Sequence, residues 1–350
     1  MLIVMKTQAS DEEVQAVIDK IESVGAQAHP SRGAELTLIG AIGDADTEVR
    51  VSELELEGFE GVARVVPILK PYKLASLESH NGEPSVFDIG GAKVGGDNFA
   101  MIAGPCTVES REQLMSTAEV VLQGGACMLR GGAYKPRTSP YSFLGLGVEG
   151  LKLLGEAKEK TGLPIVTELM DLRDLDAVLE VADVIQIGAR NMQNYNLLTE
   201  IGKSGRAAML KRGLSSTLEE LLMAAEYILK EGNKEVLLCE RGIRTFETAY
   251  RFTLDLSAIP VLKEMTHLPV IVDPSHAAGR RALVPSLSLA AAAAGADGLI
   301  VEVHPEPEEA ICDGPQALRT SDFAEFARQV DQAAQLAGKR SFLAEGAPAA

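Results

Sequence analysis

Eight short apolar runs, separated by stretches with helical spacing, predict that residues 86–338 fold as a (β/α)8 TIM barrel, an α/β architecture. The runs fall at 99–103, 126–130, 164–167, 184–187, 207–210, 235–239, 269–272 and 298–302, with starts 20 to 38 residues apart. A separate βαββαβ pattern over residues 1–70 predicts a ferredoxin-like domain in front of the barrel. The 350 residues suit two domains at roughly 150 residues each. An open, doubly wound eight-stranded sheet is the competing fold for the second part.

The first domain opens with an apolar strand at 2–6. Ser10 followed by Glu13 is a capping-box signature, and Val14, Val17, Ile18, Ile21 and Val24 then repeat at helical spacing up to Gly25. Strands are expected at 26–29, 35–42 and 62–66, with a second helix at 46–54. Residues 71–85 are polar, include Pro71 and Pro84, show no periodicity, and read as a linker. Apolar residues around Gly90-Gly91 signal a β-hairpin leading into the barrel. The Gly-rich run GGAKVGGD lacks the GK[ST] ending of a phosphate loop. Among the barrel helices the clearest is 216–230, with a capping box assigned to Ser216 and Glu219 and a stop at Gly232. Residues 339–350 read as a tail.

Composition narrows the function classes. Thirty-three basic and fifty acidic residues give a net charge of −17, which argues against nucleic acid as a partner because duplex binding draws on Lys and Arg. Residues 1–70, with six basic and thirteen acidic side chains, hold more than their share of the acidity. The longest apolar stretch, near 287–294, falls short of the ~18 to 20 residues a spanning helix needs, so no membrane partner is expected. No secretory leader pattern opens the sequence, and a cytoplasmic location is the expectation. Cys106, Cys127, Cys239 and Cys312 form no CxxC pair, and disulfides are not expected.

In a barrel the active face lies at the C-terminal ends of the strands, and charged side chains gather there in this sequence. Arg130, Lys135, Arg137, Arg190, Lys211 and Arg241 come from different strand ends and can point at one axial pocket. Arg212, Glu168, Glu240, Asp273 and His304 occupy similar positions. Solvated loop charge is the simpler reading for any one of them. So many cations at one rim, however, repel one another unless an anion neutralises them, so anionic substrates are implied. A second group, Cys106, His276, Glu302 and Asp313, has no local spacing motif, and a core cysteine with surface carboxylates is the competing reading. Closure of the barrel makes strands 1, 7 and 8 neighbours, and the mixed S, N and O donors suit Mn, Fe, Co or Zn better than Mg or Ca.

The strings AGPCTVES (103–110), RGGAYKPRTSPYSF (130–143), IQIGARNMQN (185–194), MLKRG (209–213), CERGIRTFE (239–247) and DPSHAAG (273–279), with the run from 298 to 318, resemble the 3-deoxy-D-arabino-heptulosonate 7-phosphate (DAHP) synthases. The similar class carries an N-terminal ferredoxin-like regulatory domain. The resemblance implies condensation of phosphoenolpyruvate with erythrose 4-phosphate, the first step of the shikimate pathway. It implies a divalent metal ion, Mn2+ foremost with Fe2+, Co2+ or Zn2+ as alternatives, on Cys106, His276, Glu302 and Asp313. It further implies phosphoenolpyruvate on Arg130, Lys135, Arg190, Lys211 and Arg241, and erythrose 4-phosphate on Pro136, Arg137 and Thr138. Lys135 is the expected proton donor, and Lys135, Cys106 and His276 make up the catalytic set. Feedback inhibition by tyrosine or phenylalanine through the first domain, and a homotetramer, are further expectations from the same resemblance. The related 3-deoxy-D-manno-octulosonate 8-phosphate synthases carry Ala-Asn-Arg-Ser where this sequence reads Pro136-Arg137-Thr138-Ser139, which favours the four-carbon aldose. A Schiff-base aldolase using Lys211 and a catalytically silent amino-acid sensor are the readings from other classes.

Overall fold

A computed structural model describes residues 1–33, 36–66, 71–136, 139 and 141–343, together with the backbone but not the side chains of residues 45, 46 and 48. It divides into two compact units, residues 1–71 and 72–350.

The first unit is built as β1 (Leu2–Met5), α1 (Asp11–Glu22), β2 (Gln27–Arg32), β3 (Thr37–Ile42), α2 (Ala45–Ser52) and β4 (Val62–Val66). Its sheet is antiparallel in the order β2-β3-β1-β4. The capping box starts α1: Ser10 Oγ accepts from the Glu13 amide at 3.2 Å and Glu13 Oε2 accepts from the Ser10 amide at 2.6 Å. The helical repeat then brings Val14, Val17 and Ile21 onto Ile3, Met5 and Ile39, forming a small core.

The second unit opens with residues that the sequence suggests are a linker. Instead Tyr72 and Ala75 are buried in the barrel core, and the amides of Lys73, Leu74 and Ala75 donate to the carboxylate of Glu226 at 2.8 to 3.0 Å. Polar composition misleads here because these groups are satisfied by side-chain partners remote in sequence. A hairpin of β5 (Phe87–Ile89) and β6 (Ala92–Val94) follows, turning on Gly90 and Gly91, both at positive φ.

The barrel strands are β7 (Ala100–Gly104), β8 (Met128–Arg130), β9 (Ile165–Glu168), β10 (Val184–Ile187), β11 (Ala207–Lys211), β12 (Val236–Glu240), β13 (Val270–Val272) and β14 (Gly298–His304). Each pairs in parallel with the next, and β14 pairs with both β13 and β7, so the sheet closes. Every residue in these strands is buried, which is why they read as continuous apolar runs rather than alternating ones. Around them lie α3 (Arg111–Gln123), α4 (Val148–Thr161), α5 (Leu175–Leu179), α6 (Tyr195–Ser204), α7 (Leu218–Lys230), α8 (Ala258–Met265), α9 (Pro274–Ala278), α10 (Val284–Ala293) and α11 (Thr320–Leu336). The cap of α7 lies one residue later than expected: Thr217 Oγ1 accepts from Glu220 N at 3.1 Å, and Glu220 Oε2 accepts from Thr217 N at 2.7 Å. Ser216 and Glu219 carry the same hydroxyl-to-glutamate spacing one residue out of register.

Residues 339–343, expected to begin a tail, are also docked. Lys339 Nζ reaches Asp297 Oδ1 at 2.5 Å, the Asp331 carboxylate accepts from Phe342 N at 2.9 Å, and Phe342 stacks on Phe99. The rest of that segment, 344–350, lies outside the described residues.

Candidate active site

Strand geometry decides which charges meet. Lys211 and Arg212 are consecutive at the end of β11, so their side chains leave on opposite sides. Lys211 lines the cleft at the barrel mouth, whereas Arg212 ion-pairs with Glu240 at 2.9 Å and Asp255 at 2.8 Å, away from the cleft lining. Arg212 and Glu240 are therefore structural, and their position at strand ends alone does not predict a catalytic role.

The cleft has a volume of about 380 Å3, and its walls include Lys135, Pro136, Arg190, Lys211, Arg241 and His276. Arg130 lies against the same centre, donating from Nη1 to Glu302 Oε1 at 2.9 Å. Arg130, Lys135, Lys211 and Arg241 are each no more than 6% exposed, which excludes the reading as solvated loop charges. Arg190, on a 3-10 turn after β10, is the exposed member. Arg137 and Thr138 lie outside the described residues.

Cys106, His276, Glu302 and Asp313 each offer one donor atom, and these atoms lie within 4.8 Å of one another. Cys106 follows β7, Glu302 sits in β14 directly beside Gly104, and His276 lies on α9 after β13, so barrel closure gathers them. The thin rim at Gly104 is a requirement: a Cβ there would stand 2.1 Å from the Arg130 carbonyl oxygen. Asp313 adopts a left-handed backbone, φ 54°, in the loop after β14. One thiol, one imidazole and two carboxylates are a donor set for a divalent transition ion.

Neighbouring groups orient these four side chains. Asp273 Oδ2 bonds His276 Nδ1 at 2.7 Å and accepts from Lys211 Nζ at 2.5 Å, which leaves Nε2 of the imidazole facing Glu302 Oε1 at 3.3 Å. Gln316 Nε2 donates to Glu302 Oε2 at 2.8 Å, and Arg251 Nη1 donates to Gln316 Oε1 at 2.9 Å. Burial alone would raise the Asp273 carboxyl, but His276 and Lys211 outweigh it and hold it well below the usual carboxylate range. Glu302 shows the same competition: burial pushes up, while His276, Arg130 and Lys135 bring it down to about 2. Both are therefore anions at neutral pH. The Cys106 thiol is pushed well above its ordinary value, first by its contact with Cys312, then by burial and by Glu302. Burial is the largest influence on Lys135 and works to lower it, but Cys106, Cys312 and Glu302 together outweigh it and raise it above its ordinary value.

The site also has unmet donors. Among the described residues, Nε of Arg130 and Nη1 of Arg241 are buried without a protein hydrogen-bond partner. Burial lowers the Arg241 guanidinium, which lies 4.4 Å from the centre of the Phe252 ring. Arg241 lines the cleft, and an orphaned, desolvated guanidinium donor there is prepared for an anion.

Arg251, Phe252 and Gln316 carry no mark in the local sequence pattern. Arg251 and Phe252 lie more than ten residues beyond the end of β12, so no strand-end rule reaches them. Gln316 is three residues past Asp313, and that proximity was the available signal.

A closed barrel whose mouth gathers buried cations around four side chains able to hold a metal ion is an enzyme for small anionic substrates. Residues 76–338 match the DAHP synthetase I family and residues 1–70 match the DAHP synthase ferredoxin-like domain. The phospho-2-dehydro-3-deoxyheptonate aldolase of Thermotoga maritima is 50% identical over 338 residues, covering 97% of this chain and 99% of that one. The crystal structure of the phospho-2-dehydro-3-deoxyheptonate aldolase (DAHP synthase) from Thermotoga maritima superposes with a TM-score of 0.88 at 48% identity, over 97% of this chain and 98% of that one. A 2-dehydro-3-deoxyphosphooctonate aldolase of Geobacter sulfurreducens is 32% identical over 255 residues, 67% of this chain and 92% of its own length. The chain belongs to the DAHP synthetase I family, in the form with a ferredoxin-like domain ahead of the barrel. It is a transferase with the activity that gives the family its name.

Proposed function

We propose that the cleft carries out this synthesis on phosphoenolpyruvate and erythrose 4-phosphate, with the metal ligands and the buried cations each in a distinct role. The observation that carries the reading is the convergence, at one barrel mouth, of four metal-donor atoms within 4.8 Å and of guanidinium nitrogens lacking a protein partner. Arg130, Lys135, Arg190, Lys211 and Arg241 hold the carboxylate and phosphate of phosphoenolpyruvate; Arg supplies a planar fork and Lys a point charge. Pro136 shapes the adjoining wall, and Arg137 and Thr138 follow it in sequence as readers of the second phosphate.

Cys106, His276, Glu302 and Asp313 would hold a divalent ion, which when bound would supply Lewis-acid polarisation of a carbonyl oxygen. Mn2+ is the ion we favour for this donor set, with Fe2+, Co2+ or Zn2+ as alternatives. In the condensation, carbon 3 of phosphoenolpyruvate attacks the aldehyde, water adds at carbon 2, and phosphate departs by C–O cleavage. Lys135, raised by Cys106, Cys312 and Glu302 acting together against its burial, gives the proton that the new hydroxyl requires. Asp273 holds the His276 ring and Lys211 together, so the imidazole and one phosphoenolpyruvate-binding cation share a single anchor. That ion pair supports Lys211 as an anion holder rather than a Schiff-base nucleophile.

The ferredoxin-like domain is proposed as the site through which tyrosine or phenylalanine inhibits the barrel, and a homotetramer in the cytoplasm as the working form. None of the described helices is long and apolar enough to cross a membrane.

Phosphate release from phosphoenolpyruvate, measured with erythrose 4-phosphate before and after chelation and after Mn2+ is restored, tests the chemistry. Activity should vanish on chelation, return with Mn2+, and be absent in Cys106→Ala. Activity indifferent to the chelator would defeat the metal assignment, and a preference for arabinose 5-phosphate would defeat the substrate assignment.

A further inference from the structure

Two buried side chains beside the metal ligands play no part in the chemistry above. Glu109 follows Cys106 by three residues in the loop after β7, and its side chain is nine-tenths buried. Its Oε1 accepts from the amide of Ile311 at 2.9 Å, and its Oε2 lies 3.4 Å from Nε2 of His304. The second ring nitrogen of His304, Nδ1, accepts from the amide of Glu306 at 3.1 Å. The pair thus grips the loop after β14 near both of its ends. Neither residue lines the cleft.

The gripped loop ends in Asp313, two residues beyond Ile311. Asp313 is one of only two non-glycine residues at positive φ among the described residues, a conformation that costs roughly 1 kcal/mol or more unless the surroundings enforce it. The anchor itself is stiff. Ser110, next to Glu109, caps α3 through the Gln113 amide at 3.1 Å; Gln113 Nε2 bonds the Thr107 carbonyl oxygen at 3.2 Å, and Thr107 Oγ1 bonds the Gly132 carbonyl oxygen at 3.0 Å. Glu109 therefore spans from the segment that carries Cys106 to the loop that carries Asp313.

We infer that Glu109, oriented by His304, is a positioning residue that fixes the Asp313 loop in its metal-ligating conformation by tying the Ile311 amide to the Cys106 segment. The inference rests on the metal reading proposed above. Groups that orient a ligand typically change metal affinity 10- to 100-fold when removed.

The test is Mn2+ binding to the full chain, stripped of metal and titrated with Mn2+ alone, with free ion followed by electron paramagnetic resonance. Glu109→Ala should weaken Mn2+ binding about 10- to 100-fold while the melting temperature of the metal-free protein stays near that of wild type. Glu109→Gln keeps an oxygen acceptor for the Ile311 amide and should recover most of the affinity. At saturating Mn2+ the KM for phosphoenolpyruvate should be unchanged in both. Wild-type affinity in Glu109→Ala overturns the inference. So does a loss that Glu109→Gln fails to rescue and that parallels a fall in metal-free melting temperature, since that is general destabilisation. A wild-type protein that binds no Mn2+, or binds it equally as Cys106→Ser, overturns the metal reading and the inference with it.

Discussion

Arg241 shows how a single side chain in this molecule is prepared for a ligand. It is buried, it lies over Phe252, and one of its terminal nitrogens has no protein partner. The guanidinium fork is needed for such a role, and an ammonium cannot reproduce its two parallel hydrogen bonds. Arg241→Lys should raise the KM for phosphoenolpyruvate by about tenfold, equivalent to roughly 1.4 kcal/mol, with a smaller change in kcat. Steady-state kinetics at saturating erythrose 4-phosphate would show it. His267, remote from the cleft, carries a pH consequence. Its Nδ1 meets Ser85 Oγ at 2.7 Å and its Nε2 meets the Leu74 carbonyl oxygen at 2.8 Å. Burial lowers its pKa below the ordinary value, and His80, stacked 4.8 Å away, adds to the effect. The folded protein thus takes up this proton less readily than the unfolded chain, so the contribution to stability is whole above pH about 6.5 and is lost as pH falls from there through the folded value. Urea denaturation from pH 7.5 to 5.5 should show falling stability, and the slope should be shallower in His267→Gln.

At the scale of the element, helix α7 separates what residue letters can say from what register decides. Thr217 and Ser216 are adjacent hydroxyl residues, each followed three positions later by a glutamate, and both satisfy the capping-box pattern. In the folded chain Thr217 and Glu220 make both reciprocal bonds. Thr217→Ala should therefore cost about 1 kcal/mol of stability in urea denaturation, and Ser216→Ala only a few tenths. Equal losses would show that the cap is shared. The barrel strands were legible because burial on both faces leaves them mostly apolar, with their charged residues gathered near the C-terminal ends. Their ends were less so: Lys211 and Arg212 look equivalent in sequence, and only the side of the strand from which each leaves sends one to the cleft and the other to Glu240 and Asp255.

For the whole molecule, the division after Pro71 has a practical consequence. Tyr72 and Ala75 belong to the barrel core, and Glu226 binds the amides of Lys73 to Ala75. A chain beginning at Tyr72 should keep the melting temperature and phosphate-releasing activity of the barrel and lose inhibition by tyrosine or phenylalanine. A chain beginning at Val86 should melt several degrees lower, because it exposes the surface that Tyr72 and Ala75 cover. Differential scanning calorimetry and inhibition assays on the two truncations check both halves of this expectation. The net charge of −17 likewise acquires its meaning at this scale. It counts against polyanions that need a broad basic face, whereas a small phosphorylated substrate responds to the field inside one cleft, where the cations are concentrated.

By itself the sequence determined the two architectures and the eight strands, because apolar periodicity is local and survives without coordinates, while the four candidate metal donors and the cations were singled out by residue type near strand ends and by the family resemblance. Tertiary structure alone decided that residues 72–85 and 339–343 are packed against the barrel, and that Arg212 is structural. It also brought Arg251 to Gln316, Gln316 to Glu302, and Glu109 to the Ile311 amide. These depend on contacts between residues tens to hundreds of positions apart and on the side from which a side chain leaves its strand, and neither is written in local pattern.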